Sequence, residues 1–306
     1  MFDLPTVFPK VPWSLQFVRS SDGVDLAVQH AGSGPAVLIA NGIGVTVPGL
    51  DSVAGPLVER GYRVVCWDYR GMGRSALPSH EVEFTMARHA QDALEVLGGV
   101  GEQRAAVIGW SMGVPVALEM IRRAPDRVVA FAALFGSPAQ PFRAAFPRPL
   151  SDLVHGAVAF AKEIPWPAQA ILRLGVALPP VTWFVCTVTG FCGRRANRDM
   201  FMEHVRSTAN ADKKAYFTTM YEMMYHDGRD ILPTIRCPVL VVAGENDWVT
   251  PPEAAWEMVR RIPNARHVFF PKTSHFGVIE HGPALWNAIE ELLEEAGWLR
   301  QRTDSK

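Results

Sequence analysis

The chain has 306 residues, of which 48% are hydrophobic and 20% are charged, a composition typical of a globular protein with a large core. Its formal net charge of −1 excludes a general attraction of the whole chain to nucleic acid or anionic lipid. The N-terminal residues show no basic region followed by an apolar stretch, so we predict no secretory signal and a cytoplasmic location. The four cysteines, Cys66, Cys186, Cys192 and Cys237, form no CxxC motif. We predict that they are small core residues of a protein in a reducing compartment, not disulfide partners.

The first elements form a hairpin and then an alternation of strands and helices. Residues 13–20 and 24–31 flank Asp22-Gly23 and predict two antiparallel strands. Helices are then expected at about 49–60, 85–97 and 112–123. Between them lie short, continuous apolar runs, typical of strands buried on both faces, at residues 36–40, 62–68, 105–109 and 128–136. This alternation predicts a parallel sheet with helices on both sides.

The alternation stops at residue 137 and returns near residue 233. The intervening residues are rich in proline, aromatic residues and methionine, and their helical stretches are 166–178 and 196–226. We interpret residues 137–232 as an all-helical cap inserted into a core formed by residues 1–136 and 233–306. The last elements are predicted strands at 237–244 and 265–270 and helices near 252–262 and 281–296, which completes eight strands.

One segment of the insertion, residues 174–193, contains no charged residue. Its length would suit a membrane span. However, Pro179-Pro180 interrupts any helix near the middle of the segment. We therefore predict no membrane span, and instead an apolar lid or an edge that contacts lipid.

Ser111 lies between a predicted buried strand and a predicted helix, with Gly109 and Gly113 two residues away on either side. Because the two glycines have no side chains, strand and helix can approach closely around a sharp turn. The helix N-terminus adds free N–H groups beside the hydroxyl. Open α/β sheets bind ligands at the carboxyl edge, to which this serine belongs. The pattern predicts a nucleophilic serine rather than only a helix cap.

A nucleophilic serine requires a base and an acid, and both follow later strands. Asp247 comes directly after the strand at 237–244, and His275 comes after the strand at 265–270. Both are therefore expected at the same sheet edge as Ser111. Two further residues remain as alternatives, Glu245 for the acid and His281 for the base.

These motifs, together with the Asp68-Tyr69-Arg70-Gly71-Met72-Gly73-Arg74-Ser75 loop, resemble the α/β-hydrolase-fold serine hydrolases over nearly the whole chain. The resemblance implies a mostly parallel, eight-stranded sheet flanked by helices, and no cofactor. It implies Ser111 as nucleophile, His275 as general base and then acid, and Asp247 as the group that orients His275. It also implies two oxyanion donors, the N–H groups of Ile43 and Met112.

The sequence departs from the family pattern in two places. Asn41-Gly42 replaces the usual His-Gly of the oxyanion loop, and Val114 stands where a second glycine or alanine is common. A nucleophilic serine in place of aspartate argues against dehalogenase or epoxide-hydrolase chemistry.

The aromatic and methionine residues of the insertion predict an apolar wall over Ser111 and a small-molecule substrate with a hydrophobic acyl group. The candidate substrate-binding residues are Asn41, Trp110, Trp183, Phe184 and Phe276. We predict hydrolysis of a carboxylic ester or thioester through an acyl-enzyme. The same residues also allow carbon–carbon bond hydrolysis, acyl transfer or a haloperoxidase-like side activity, and a non-catalytic receptor remains a further alternative.

Two other patterns favour structural roles. Arg70-Gly71-Met72-Gly73 lacks the lysine and the spacing of a phosphate-binding loop, so we predict a structural turn. The spacing of His204, His226 and Asp227 fits no familiar metal site, and no metal is predicted. No nucleic acid partner is expected, and the sequence does not indicate an oligomeric state.

Overall fold

The computed structural model describes residues 11–46, 50–78, 83–141 and 147–299. Eight strands form one sheet in the spatial order β1-β2-β4-β3-β5-β6-β7-β8. The strands are β1 (Ser14–Arg19), β2 (Asp25–Ala31), β3 (Ala36–Ala40), β4 (Arg63–Trp67), β5 (Ala105–Trp110), β6 (Val128–Leu134), β7 (Val239–Gly244) and β8 (Ala265–Phe270).

The sheet is mostly parallel, as predicted. Strand β2 runs antiparallel to both of its neighbours, β1 and β4, which confirms the predicted hairpin. All other neighbouring strands are parallel. Every residue of β3, β5, β6 and β7 is buried, because helices cover both faces of the sheet.

Helices outside the insertion agree with the predicted positions to within a few residues. The predicted and observed bounds of these helices and of the strands differ by at most two residues. At the end of β6, for example, the predicted strand continues to residue 136 but the observed one ends at Leu134. Phe135 adopts a positive φ of 45°, which ends the extended backbone. The helices are α1 (Asp51–Glu59), α2 (Met86–Gly99), α3 (Gly113–Arg123), α9 (Pro252–Arg261) and α10 (Gly282–Glu295).

Residues 147–232 contain five helices and no strand. The stretch predicted as one helix over residues 196–226 is two helices, because the Asp212 side chain caps a new helix by accepting a hydrogen bond from Ala215 N–H at 2.8 Å. Two helices in this segment, over residues 148–163 and 179–188, had no counterpart in the sequence analysis. The five helices are α4 (Arg148–Glu163), α5 (Trp166–Ala177), α6 (Pro179–Val188), α7 (Arg198–Asn210) and α8 (Lys213–Tyr225).

The break at Pro179-Pro180 separates two apolar helices. Within the part of the chain that the structure describes, no single helix has both the length and the apolar character to cross a bilayer. Helices α5 and α6 meet these criteria of length and composition only when taken together, and their axes differ by 106°.

The loop after β4 is held by a buried ion-pair network centred on Arg70. Its guanidinium donates to both carboxylate oxygens of Asp92 at 2.7 and 2.8 Å and to those of Asp22 at 2.7 and 3.1 Å. The side chains of Arg70 and Asp92 are fully buried. Burial raises the pKa of the Asp92 carboxyl, and its hydrogen bonds to Arg70 oppose that increase. The contacts of Arg70 are those of a structural residue.

Replacing Arg70 by leucine is expected to lower the free energy of unfolding by about 3 kcal/mol, because Asp92 then stays buried with only Arg88 as its charged partner. Urea unfolding of the purified protein measures this change. Arg19→Leu is the matched control, since Arg19 and its partner Asp25 are both exposed and the expected change is below about 1 kcal/mol. Equal effects of the two substitutions would contradict the structural role of Arg70.

Candidate active site

Ser111 lies in the sharp turn between β5 and α3. Its φ is +53°, a left-handed conformation that is strained for a residue with a side chain. The turn is held by Ser111 N–H, which donates to Leu134 O on the neighbouring strand at 3.0 Å. The serine therefore projects from the carboxyl edge of the sheet at the N-terminus of a helix.

The flanking glycines are required by close backbone contacts. A Cβ atom on Gly109 would lie 2.5 Å from Gly113 O, and one on Gly113 would lie 1.8 Å from Ala40 O. No side chain fits at either position without moving the backbone. The predicted reason for the Gly-x-Ser-x-Gly pattern, close approach of strand and helix, therefore agrees with the observed geometry.

His275 connects Ser111 to Asp247. The distance from His275 Nε2 to Ser111 Oγ is 2.8 Å, and that from His275 Nδ1 to Asp247 Oδ2 is 2.9 Å. Both are hydrogen-bonding distances. The fold thus brings together three residues that follow different strands. The serine hydroxyl can thus donate to Nε2 while the opposite ring nitrogen donates to the carboxylate.

Asp247 is buried and held by the turn that follows β7. Its Oδ1 accepts hydrogen bonds from Val249 N–H at 3.0 Å and from Thr250 N–H at 2.9 Å. The Thr250 hydroxyl donates to Oδ2 at 2.8 Å. These bonds fix the carboxylate toward the imidazole. The sequence analysis missed Thr250, for which the only signal is a hydroxyl residue three positions after Asp247.

The two alternative residues point elsewhere. Glu245 accepts a hydrogen bond from Lys272 N–H at 2.8 Å and is exposed. His281 stacks on Phe270, with ring centroids 4.4 Å apart, and its Nε2 contacts the Thr273 hydroxyl. Among the contacts of the described residues, Glu245 does not reach His275 and His281 does not reach Ser111, so the geometry favours Asp247 and His275.

The loop after β3 lies beside Ser111. A Cβ atom on Gly42 would lie 3.5 Å from Ser111 Cβ, and Ile43 lines the same cavity as the serine. In the described part of the chain, neither Ile43 N–H nor Met112 N–H has a hydrogen-bond partner. Neither of these two N–H groups is therefore committed to a partner within the described residues.

Asn41 supports this loop from behind rather than lining the cavity, contrary to its prediction as a substrate-binding residue. It is fully buried, its side-chain amide donates to Trp67 O at 3.4 Å, and its own carbonyl accepts from Tyr69 Oη at 2.9 Å. These contacts give the Asn41 amide a structural role in the loop, where the family usually has histidine.

Two adjacent cavities lie between the oxyanion loop and the helices of the insertion, and Ser111 lines the first of them. The first has a volume of about 110 Å³ and is lined by Ser111, His275 and the oxyanion loop. The second has a volume of about 390 Å³ and is lined almost entirely by apolar residues of α5, α6 and α7. Three residues line both cavities, Phe191, His204 and Tyr216, so the two spaces are adjacent.

The other predicted substrate-binding residues divide into two pairs. Trp110 and Phe276 line the cavity at Ser111, and the Trp110 indole also donates to His275 O at 3.3 Å. Trp183 and Phe184 line neither cavity. Trp183 packs edge-on against Phe201, and Phe184 is 65% exposed, so their positions do not support the predicted role.

His204 is the cavity residue that sequence analysis considered only as a metal ligand. It lies on α7 between the two cavities, and its Nδ1 is buried without a hydrogen-bond partner. Burial, reinforced by the charge of His275, lowers its pKa to about 4. His204 therefore presents a neutral polar group inside an apolar space at neutral pH. No periodicity in the sequence distinguishes it from other histidines.

The described residues bring no three His, Cys, Asp or Glu side chains together as a potential metal site. His226 instead lies 3.0 Å from Glu119, measured from Nε2 to Oε1. Asp227 pairs with Arg229. The three residues considered as metal ligands thus have separate environments.

A second buried histidine predicts an acid-sensitive fold. His89 is completely buried, and burial, helped by Arg70 and Arg88, lowers its pKa from 6.5 to about 3. The unfolded chain therefore takes up a proton below pH 6.5 that the folded chain does not. The stability that the neutral His89 contributes is fully present above pH 6.5 and is lost as the pH falls toward 3.

Between pH 6.5 and about 5, where few carboxylates titrate, His89 is expected to contribute a slope approaching about 1.4 kcal/mol per pH unit. Unfolding free energies measured across this range for wild type and His89→Gln test this expectation. The variant should show the flatter dependence, whatever its absolute stability. Parallel curves for the two proteins would contradict it.

Comparison with known proteins gives a consistent result. A model of the "Alpha/beta hydrolase family" matches residues 34–288. A non-heme haloperoxidase from Rhodococcus erythropolis is 26% identical over 85% of this chain and 93% of its own length. The 2-hydroxy-6-oxo-6-(2'-aminophenyl)hexa-2,4-dienoic acid hydrolase of Metapseudomonas resinovorans is 23% identical over 91% of this chain and 90% of its own. Among solved structures, an esterase from Exiguobacterium antarcticum superposes with a TM-score of 0.76 at 21% identity, covering 92% of this chain and 99% of that one.

Proposed function

The chain belongs to the alpha/beta hydrolase family, and we propose that it is a serine hydrolase that cleaves a carboxylic ester or thioester with a hydrophobic acyl group. The observation that carries this proposal is the hydrogen-bonded series Ser111–His275–Asp247 at the edge of an apolar cavity. Residues 137–232 act in this proposal as the cap over the cavity.

In the first step, Ser111 Oγ attacks the substrate carbonyl while its proton moves to His275 Nε2. The 2.8 Å separation of these atoms supports direct transfer. The imidazolium that forms is stabilised by the carboxylate of Asp247, which Thr250 and two backbone N–H groups hold in place. His275 then gives the proton to the leaving alcohol or thiol, and an acyl-enzyme remains on Ser111.

In the second step, water attacks the acyl carbonyl while His275 Nε2 takes its proton. The bond between the acyl carbon and Ser111 Oγ then breaks, His275 returns the proton to Oγ, and the carboxylic acid leaves. The N–H groups of Met112 and Ile43 are the proposed donors to the oxyanion in both steps, and their lack of a partner among the residues that the structure describes supports this role. Loss of one such donor costs about 10²–10³ in rate. Asn41 and Tyr69 would contribute by holding the loop that carries Ile43.

The acyl group is proposed to occupy the 390 Å³ cavity. Its walls are apolar apart from His204, Thr182, Thr208, Tyr216 and Cys186, so each methylene buried there gains about 0.8 kcal/mol. The neutral imidazole of His204 would place one polar group beside the acyl chain. This arrangement favours medium or long acyl chains over short, polar acids.

A series of nitrophenyl esters and matched thioesters of increasing acyl length tests the proposal. We expect kcat/KM to rise with chain length, and we expect the thioesters to follow the same order. A preference for acetate over longer acyl groups would contradict the proposed acyl site. Absence of turnover above the buffer rate across both series would instead favour a non-catalytic receptor.

A second candidate is carbon–carbon bond hydrolysis by the same residues. It is favoured by the similarity to the dienoic acid hydrolase of Metapseudomonas resinovorans. Product analysis separates the two reactions, because ester cleavage releases an alcohol and an acid, whereas cleavage between carbon atoms leaves a new C–H bond on one product.

A further inference from the structure

We infer that helices α5 and α6 form a docking surface for anionic lipid membranes, through which apolar substrate enters the cavity. These two helices, Trp166–Ala177 and Pro179–Val188, are called the apolar helix pair below. The inference about substrate entry rests on the proposed function, whereas the docking surface does not depend on it.

Neither helix of the pair has a buried residue. In a water-soluble helix, apolar residues normally face the core and polar residues face solvent. Here large apolar side chains face outward over both helices, with exposures as high as 71% at Ile171 and 69% at Trp166. The exposed apolar side chains of this segment are Trp166, Ile171, Leu174, Leu178, Val181, Phe184, Val185 and Val188. Eight exposed apolar side chains on two neighbouring helices mark an interaction surface.

The charged residues that flank the apolar helix pair along the chain are mainly positive. Residues 164–193 contain a single charged side chain, Arg173. Arg194 and Arg195 follow directly after this stretch, and both are exposed. The remaining charged residues on either side are Lys162, Glu163, Arg198 and Asp199. An apolar surface with a cationic margin complements an anionic bilayer, whose acyl region takes the apolar side chains while its headgroups attract the arginines.

The large cavity opens within the same surface. Ile171, Leu174, Val181 and Val185 line the cavity and are also about half exposed or more. At the inner end, His204 and Phe191 line both this cavity and the space around Ser111, so the two spaces are adjacent. An apolar ester that leaves the bilayer at this opening would enter the space next to the Ser111 cavity without crossing water.

The turn after α6 also links this surface to the candidate site. Gly193 N–H donates to Ser274 Oγ at 2.9 Å, and Ser274 precedes His275. This contact fixes the end of the apolar helix pair against the loop that carries the imidazole.

A membrane fits these features better than a second copy of the chain. A two-fold contact through the apolar helix pair would cover the opening of the cavity. It would also bring two arginine-rich margins into one interface. A dimer formed through this surface is the alternative result that the experiment can detect.

The test uses the full chain carrying Ser111→Ala, so that vesicle binding does not depend on hydrolysis. Its cosedimentation is measured with phosphatidylcholine vesicles and with vesicles of phosphatidylcholine and phosphatidylglycerol. We expect binding to the mixed vesicles that weakens in high salt. Adding Trp166→Gln and Val188→Gln should weaken that binding more than about tenfold. Phe17→Gln is the matched control, because Phe17 is 58% exposed on β1, outside the surface, and should have no effect.

The charged margin is tested separately. Arg194→Gln with Arg195→Gln should weaken binding to the mixed vesicles by about fivefold per arginine and leave binding to phosphatidylcholine unchanged. Equal binding of the apolar double variant and of Phe17→Gln to the mixed vesicles would overturn the inference. Failure of the Ser111→Ala protein to bind both kinds of vesicle would also overturn it. A dimer in light scattering that becomes monomeric in the apolar double variant would assign the surface to a second copy. Ester turnover by the wild-type protein, measured in parallel, reports on the proposed function independently.

Discussion

Ser111→Ala is expected to lower kcat for an ester substrate by about 10⁶-fold, because without the hydroxyl no acyl-enzyme forms and His275 has no proton to accept. The residual rate would come from the oxyanion donors and the cavity alone. The stability of the fold should change little, since alanine retains the Cβ atom and the positive φ. Steady-state kinetics with a chromogenic ester, together with a thermal melt, measure both quantities.

The control for this substitution is Ser137→Ala. Ser137 lies in the loop after β6, is buried, and donates its hydroxyl to Ala139 O. Loss of this local bond should change kcat by far less than loss of Ser111. An unreduced kcat in Ser111→Ala, or equal losses in the two variants, would remove Ser111 from the role of nucleophile.

Val205→Trp is expected to shorten the acyl chain that the enzyme prefers. Val205 lines the large cavity but not the space around Ser111, so a larger side chain there fills the region proposed for the distal part of the chain. If four methylenes lose their site, about 3 kcal/mol is lost, which lowers kcat/KM for a long ester by about 10²-fold. The acetate ester should keep most of its rate.

Leu153→Trp provides the comparison for this variant, because Leu153 is exposed on α4 and lines neither cavity. It introduces the same side chain without filling acyl space. Equal losses on short and long esters in Val205→Trp would show that the substitution disturbs the cavity as a whole. In that case the acyl group does not bind beside Val205.

The sheet and the three candidate catalytic residues could be predicted because they depend on local patterns. Buried parallel strands appear as short apolar runs, and their carboxyl ends meet at one edge. Ser111, Asp247 and His275 each follow such a run, so their proximity needed only the order of the strands. Asp247 and His275 are also favoured over Glu245 and His281 by the contacts that each residue makes.

The insertion could not be predicted in the same way, because its helices are defined by contacts with one another. Helix α6 is apolar on every side, so no periodicity distinguishes its inner face from its outer face. Trp183 and Phe184 were equally good candidates for the substrate site, yet one packs on Phe201 and the other is exposed to solvent. The same uniform apolar character led to the prediction of an apolar lid or lipid-contacting edge, and it underlies the proposed docking surface.

The oxyanion loop illustrates a second limit. Asn41 was a candidate for substrate binding because of its position in the sequence, and only the fold reveals that its side chain faces Trp67. Likewise, His204 enters the cavity from α7, which lies far from the catalytic motifs in the chain. Such positions depend on long-range packing that no local pattern encodes.

The proposal that one activated hydroxyl performs the chemistry is tested most directly by locating a covalent adduct. The wild-type protein is treated with a fluorophosphonate, and peptide mass spectrometry then identifies the modified residue. We predict a single adduct on the peptide that contains Ser111, and its loss when His275 is replaced by alanine. An adduct on another residue, or an unmodified protein that still hydrolyses esters, would contradict the account.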